Sequence, residues 1–212
     1  PYPAWSEAEQ RKLVKAAYAI HFSRTNINRY RSRNRKLSVG DFDTEDRLLI
    51  FHRPLPQLLQ ASAFVGEEDW AALWSWIPSR FRLLNLDLAF TTREHGRLLS
   101  TLYAQCGAQE PLLLLVETHK GSVFGAYLSK SFAHRSGPTF YGTGETFLFT
   151  LRPHRRHYPW RPDSGSSSFI SASDLFLACG TGGYDFGLWL DKYLNRVLSC
   201  SSTTFANEPL LD

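Results

Sequence analysis

The chain has 212 residues, 43% of them hydrophobic and 21% charged, with a net charge of +4. Fifteen Phe, nine Tyr and six Trp can fill a sizeable core, which excludes a chain disordered throughout. No apolar run approaches the ~18 residues of a membrane helix, and the small charge and missing module signatures argue against a nucleic-acid binder.

The first elements read as helix and loop. Ser6-Glu7-Ala8-Glu9 has the form of a capping box, and Leu13, Val14, Ala17, Tyr18 and Ile20 follow at helical spacing, which predicts an N-terminal helix. Residues 24–36 are basic and nearly free of apolar side chains, which predicts a loop. Leu48-Leu49-Ile50-Phe51 is a short apolar run ended by His52-Arg53-Pro54-Leu55-Pro56. A helix is predicted over 67–76, with Trp70, Leu73, Trp74 and Ile77 on one face and Pro78 as its stop. We expect residues 1–60 to be a helix and basic loop leading into a domain of residues 61–212. The chain holds no Met and opens at Pro1, from which we expect a fragment of a longer protein.

From residue 84 the period changes. Leu84, Leu86, Leu88 and Phe90 alternate with Asn85, Asp87 and Ala89, predicting a half-buried strand. His95-Gly96 turns the chain, and Leu98 to Cys106 suit a short helix ending near Gly107. Leu112–Thr118 and Val123–Ser129 flank His119-Lys120-Gly121-Ser122 as a hairpin. Phe147–Leu151 reads as a strand, and Tyr158 with Trp160 as an edge strand interrupted by Pro153 and Pro159. Gly165-Ser166-Ser167-Ser168 reads as a flexible loop, and Leu175–Cys179 and Leu188–Leu190 as two more strands. Many short strands with few long helices and no βαβ rhythm give a mainly β (α+β) fold: an antiparallel two-sheet β-sandwich with a few peripheral helices.

The candidate sites have competing readings. Gly180-Thr181-Gly182-Gly183 suggests a phosphate loop, but no Lys-Ser/Thr follows and a strand-like segment takes the place of a helix, so a tight turn is the simpler reading. Glu145, in Gly142-Thr143-Gly144-Glu145, sits among Phe140, Tyr141, Phe147 and Phe149. An apolar setting would raise its pKa towards that of a general acid, whereas a hydrogen-bonded loop carboxylate would be structural. His154-Arg155-Arg156-His157 reads as a solvated basic edge rather than a metal site, because prolines disfavour the helix that would align the imidazoles. Arg29, Arg31, Arg33 and Arg35 alternate, with Lys36 following. If extended, they would project guanidiniums on one side towards an anionic lipid or an acidic protein. Ser38 follows them as a site for a basophilic kinase. Cys106, Cys179 and Cys200 form no CxxC pair, which argues against structural zinc and for a reducing, cytosolic setting. Cys200 is kept as an oxidisable thiol.

A set of ordered motifs resembles a known family. Thr91-Thr92-Arg93-Glu94-His95-Gly96-Arg97-Leu98-Leu99-Ser100-Thr101-Leu102-Tyr103 is similar to the opening of TLDc domains. Phe124-Gly125-Ala126-Tyr127, Tyr141–Phe149, and Gly180-Thr181-Gly182-Gly183 with Gly187-Leu188-Trp189-Leu190-Asp191 follow in the family's order. Thr204-Phe205-Ala206-Asn207-Glu208-Pro209-Leu210 resembles its terminal motif. Ser202 stands where many members carry Cys, and Val197 where Gly is common, which leaves a redox role for that cysteine without its residue here, though Cys200 is near. The resemblance implies a sandwich of antiparallel sheets with a few helices. It also implies a link to oxidative-stress protection, vesicle trafficking and the vacuolar proton ATPase, in a protein whose upstream TBC domain activates Rab GTPases.

We therefore expect a non-enzymatic, cytoplasmic interaction module at vesicle or endosomal membranes, presynaptic ones included, with no cofactor and no metal. Its candidate contacts are Gly142, Gly144, Glu145, Gly180, Gly182, Gly183 and Asp191, with basic patches at Arg29–Lys36 and at Arg155 and Arg156. The rival readings are an enzyme using Glu145 with His95 or Cys200, and a module binding anionic lipid.

Overall fold

The computed structural model describes residues 13–23, 65–82, 84–182 and 185–211. The chain divides into two compact units, one of Pro1–His21 with Leu88–Asp212 and one of Phe22–Asp87. Strands among the described residues are β1 (Val14–Ser23), β2 (Asn85–Thr91), β3 (Leu112–Thr118), β4 (Val123–Leu128), β5 (Phe140–Tyr141) and β6 (Phe147–Arg152). They continue with β7 (Arg156–Pro159), β8 (Ile170–Ala172), β9 (Phe176–Thr181), β10 (Phe186–Asp191) and β11 (Val197–Leu198). The α-helices among the described residues are α1 (Glu67–Trp76), α2 (Thr92–His95) and α3 (Leu99–Cys106). Among the described residues no helix is long and apolar enough to cross a membrane.

Two sheets carry the larger unit. One has the order β2-β1-β3-β4-β6-β7, the other β11-β10-β9-β8-β5. Alternation along the strands sends one set of side chains between them. Ala17, Ala19, Leu112, Leu114, Val116, Phe124, Ala126 and Leu148 from the first meet Ile170, Ala172, Leu177, Cys179, Leu188 and Leu190 from the second in one buried cluster. This is the antiparallel sandwich expected from the sequence.

The N-terminal segment corrects the sequence reading. Residues 14–23 form strand β1, where a helix was expected. Val14, Ala16, Ala17, Tyr18, Ala19, Ile20 and Phe22 are all buried, so the run satisfies helical spacing and alternation equally. Pairing decides: β1 lies antiparallel to β3, from Val14 opposite Thr118 to His21 opposite Leu112. An interior strand with both faces covered loses the alternation that identifies a half-buried one. The capping box at Ser6, the basic loop with Ser38 and the run at 48–51 lie outside the described residues.

Other elements fall where the sequence puts them. In the smaller unit, Trp70, Leu73 and Ile77 are buried along one side of α1, and the Asp69 carboxylate accepts from the Gly66 amide at 3.4 Å. On β2, Leu86 and Phe90 are buried, but Leu88 is 38% exposed, so the predicted alternation fails at its middle member. The stretch 165–168, read as flexible, is tied down. Ser166 O accepts from Trp160 Nε1 at 2.8 Å, and the Ser166 hydroxyl shares a 2.7 Å hydrogen bond with that of Thr204. β5, β8 and β11 escaped the sequence reading because each has only two or three residues, too few for a period.

Arg97 fastens β1 to the turn after β10. Its Nη1 donates to Val14 O at 2.9 Å, Leu194 O at 3.3 Å and Asn195 Oδ1 at 3.2 Å, and its Nη2 donates to Lys15 O at 2.6 Å. A planar fork of donors fits this set, and a single ammonium does not. Arg97→Ala is expected to lower stability by about 2–4 kcal/mol, since it strands several acceptors of a charged donor, and Arg97→Lys to restore less than half of that. Urea denaturation of the three proteins measures it.

Candidate functional site

The candidate residues sit at the corners of the second sheet and on the segment that closes it. Gly180, the penultimate residue of β9, has φ of 71°, a backbone region where side chains are strained. A Cβ there would lie 2.7 Å from the Phe205 ring and 2.9 Å from the Ser202 hydroxyl. Gly182 donates to Asp185 O at 3.0 Å to close the turn, and a Cβ on it would lie 2.2 Å from Ser201 O. Gly183 lies outside the described residues. This corner is glycine because the terminal segment runs directly against it.

That segment is locked by its own polar side chains. The Ser202 hydroxyl donates to Asn207 Oδ1 at 2.5 Å and accepts from the Phe205 amide at 3.3 Å. Asn207 Nδ2 reaches Cys200 O at 2.9 Å and Glu208 O at 2.8 Å. Thr203 donates through its amide, at 2.8 Å, and its hydroxyl, at 2.9 Å, to Thr181 O. Thr204 accepts from the Thr181 amide at 3.3 Å. Thr203 and Thr204 thus tie the segment to the end of β9, and Ser202 folds it on itself through Asn207 and Phe205. Asp191 belongs to the same kind of architecture: Oδ1 accepts from the amides of Asn195 and Arg196, both at 2.8 Å, and shapes the turn before β11.

The second glycine corner precedes β6. Gly142 has φ of 108°, and a Cβ on Gly144 would lie 2.2 Å from Trp160 Cε3, so the indole lies directly on the backbone. Glu145 follows in the turn. It is half-buried, and its amide donates to the Thr143 hydroxyl at 3.4 Å. The most buried described carboxylates are instead Asp69 and Glu117, each 5% exposed. Glu117, which drew no attention in the sequence, accepts from Lys15 Nζ at 2.8 Å.

Of the rival catalytic partners, His95 lies apart from Glu145. His95 ends α2, just after β2, stacked on Phe90 and hydrogen-bonded to Thr91. Glu145 precedes β6, and β1, β3 and β4 separate β2 from β6 in the sheet, roughly 19 Å at ~4.8 Å per strand. Cys200 is half-buried, while Cys106 and Cys179 are fully buried and burial pushes both thiols up to about 12. Among the described residues no three His, Cys, Asp or Glu side chains gather as a metal site requires.

The basic edge is only partly solvated. Arg155 and Arg156 are exposed, and Arg156 Nη1 pairs with the Glu208 carboxylate. His157, expected on a solvated edge, turns inward. It meets the Phe147 ring edge-on at 4.7 Å, and burial pushes its imidazole down to about 4. Arg29, Arg31, Arg33, Arg35 and Lys36 lie outside the described residues.

A family model described as TLDc domain matches residues 58–212. The chain belongs to the TLDc family. It is 37% identical over 151 residues to the GTPase-activating protein skywalker of Drosophila melanogaster, covering 65% of this chain and 26% of that protein. It is 37% identical over 171 residues to TBC1 domain family member 24 of Xenopus laevis, covering 76% of this chain and 30% of that protein. Oxidation resistance protein 1 of Rattus norvegicus is 36% identical over 157 residues, covering 73% of this chain and 18% of that protein. The chain thus spans less than a third of the length of each of these relatives. The motifs of this TLDc domain are its corners and its terminal lock.

Two outcomes follow from this geometry. Gly180→Ala is expected to cost about 2–4 kcal/mol, combining left-handed strain with overlap at Phe205, and to lower Tm by roughly 5–15 °C in a thermal melt. For His157, the unfolded chain takes up a proton below about pH 6.5 that the folded chain refuses until about pH 4. Its contribution is complete above pH 6.5 and declines as pH falls towards 4. Melts between pH 7.5 and 5 are expected to show a steeper loss of Tm in the parent than in His157→Gln.

Proposed function

We propose that this TLDc domain is a non-enzymatic interaction module. It docks on the peripheral part of the vacuolar proton ATPase and supports vesicle trafficking and oxidative-stress resistance. Its setting is the cytoplasmic face of vesicle or endosomal membranes, presynaptic ones among them. An upstream TBC domain of the same protein would engage a Rab GTPase. The observation that carries the non-enzymatic reading is the use made of the family motifs. Gly180, Gly182, Ser202, Thr204 and Asn207 are spent on one another as packing and hydrogen bonds, and Glu145 and His95 flank strands with three others between them. The relatives named for GTPase activation and for oxidation resistance support the wider setting.

The test is binding of the purified chain to the purified peripheral sector of the vacuolar proton ATPase, with and without nucleotide. Co-purification or a shift in ATPase activity is expected. A parent that neither binds nor alters the activity in any nucleotide state overturns the partner. A Glu145→Gln protein that binds normally but loses peroxide protection in cells overturns the non-enzymatic reading.

A further inference from the structure

Among the described residues three runs place an arginine three positions before a serine: Arg97 before Ser100, Arg161 before Ser164 and Arg196 before Ser199. A basophilic kinase reads this spacing by holding the guanidinium in an acidic pocket while the serine hydroxyl faces ATP. The fold treats the three serines differently. Arg97 is committed to four acceptors on β1 and the turn after β10, and Ser100 lies within α3. Ser199 is half-buried, and its hydroxyl donates to Gly187 O at 2.5 Å and accepts from the Leu210 amide at 2.9 Å. Ser164 is exposed, and so are Arg161, Pro162, Asp163 and Gly165 around it.

The segment around Ser164 is a turn between two anchors. At one end the Arg161 amide donates to Thr204 O at 3.0 Å. At the other the Ser166 hydroxyl shares its 2.7 Å hydrogen bond with that of Thr204, and Ser166 O accepts from Trp160 Nε1 at 2.8 Å. Between the anchors the hydrogen bonds run inside the turn. Arg161 O accepts from the Ser164 amide at 3.0 Å and from the Ser164 hydroxyl at 2.6 Å, and Ser164 Oγ accepts from the Ser166 amide at 3.1 Å. Exposed local bonds of this kind open readily, so residues 162–165 can extend into a kinase cleft while both ends stay fixed. The guanidinium is within reach as well. Arg161 holds the Asp163 carboxylate through Nε at 3.2 Å and Nη2 at 3.1 Å, and a surface pair of this kind is weak.

We infer that Ser164 is a phosphorylation site for a basophilic serine kinase, and that the phosphate takes the Arg161 guanidinium from Asp163. In the transfer the γ-phosphoryl group of ATP passes to Ser164 Oγ. The P–O bond to ADP breaks, a P–O bond to serine forms, and the serine proton goes to the catalytic aspartate of the kinase. Pro162–Ser164 is a single 3₁₀ turn capped by Arg161, and in such a turn residues three apart eclipse. The phosphate therefore stands beside Arg161. It carries about −1.5 to −2 charges against the single charge of a carboxylate, and its oxygens accept a bidentate guanidinium. The hydroxyl proton that held Arg161 O is gone, and Asp163 is left beside the phosphate as a second anion. A loop whose one cation and one anion balanced becomes an acidic point, fixed at both ends to Thr204, which holds the Thr181 amide of the glycine corner.

The test incubates the purified chain with the catalytic subunit of cAMP-dependent protein kinase and MgATP, and follows each serine by mass spectrometry. Phosphate is expected on Ser164 and not on Ser100 or Ser199. Arg161→Ala is expected to slow modification of Ser164 at least tenfold, and Arg161→Lys, which keeps the cation, to recover at least about a third of the parent rate. Asp163→Asn, which frees the arginine, is expected to be modified at least as fast as the parent. In the ¹⁵N-labelled chain, kinase treatment is expected to shift the Arg161 Nε–H resonance in the parent and not in Ser164→Ala. An unmodified Ser164 with a kinase active on a control peptide, or an Arg161→Ala protein modified at the parent's rate, overturns the site. A phosphorylated parent whose Arg161 resonance matches that of treated Ser164→Ala overturns the exchange of partners.

Discussion

The fold depends on burying β3 completely. Leu112, Leu114 and Val116 fill the space between the sheets, and Leu113 and Leu115 on the opposite side are equally out of water. With no solvent on either face, each amide and carbonyl of the strand must find a partner in the ladder, which requires β1 on one side and β4 on the other. The one charge placed in this strand, Glu117, is kept by the Lys15 ammonium reaching over from β1. The strand order of the larger sheet follows from meeting these demands.

Around that centre, the residues that mark the family act as joinery. Glycines let the backbone pass where a methyl group would collide, and short hydroxyl side chains bridge segments far apart in sequence. Such an arrangement holds loops still at modest cost, and loops held still on a rigid frame make good recognition elements. The Tyr103 hydroxyl under the Leu175 turn is the clearest instance: a buried phenol from one helix sets the shape of a surface hairpin.

Much of this was legible in the sequence, for physical reasons. Short apolar runs bounded by turns, such as Phe147–Arg152, and helices with a stop, such as Glu67–Trp76 before Pro78, leave a length or a period that can be read. β1 was misread because burial on both faces erases that period; only its pairing with residues a hundred positions later makes it a strand. At the sites, the glycine turns were recognisable as turns, since no phosphate-loop pattern accompanied them. That Gly180 answers to Phe205 and Gly144 to Trp160 was not, because the contacts are tertiary. His157 was placed on a wet edge because alternation says which residues share a side, but not which side is covered.

The Arg97 clasp has a consequence for how the protein comes into being. It joins residues 14 and 15 to residues 194 and 195, while β1 waits for a partner that ends at residue 118. On the ribosome, the first strand emerges greasy and alone; its neighbour β2 ends only at Thr91, and β3, on its other side, only at Thr118. The clasp can close only when translation of the domain is nearly done. Such long-range topology folds slowly, so the nascent chain passes through a prolonged stage in which a chaperone has something to hold.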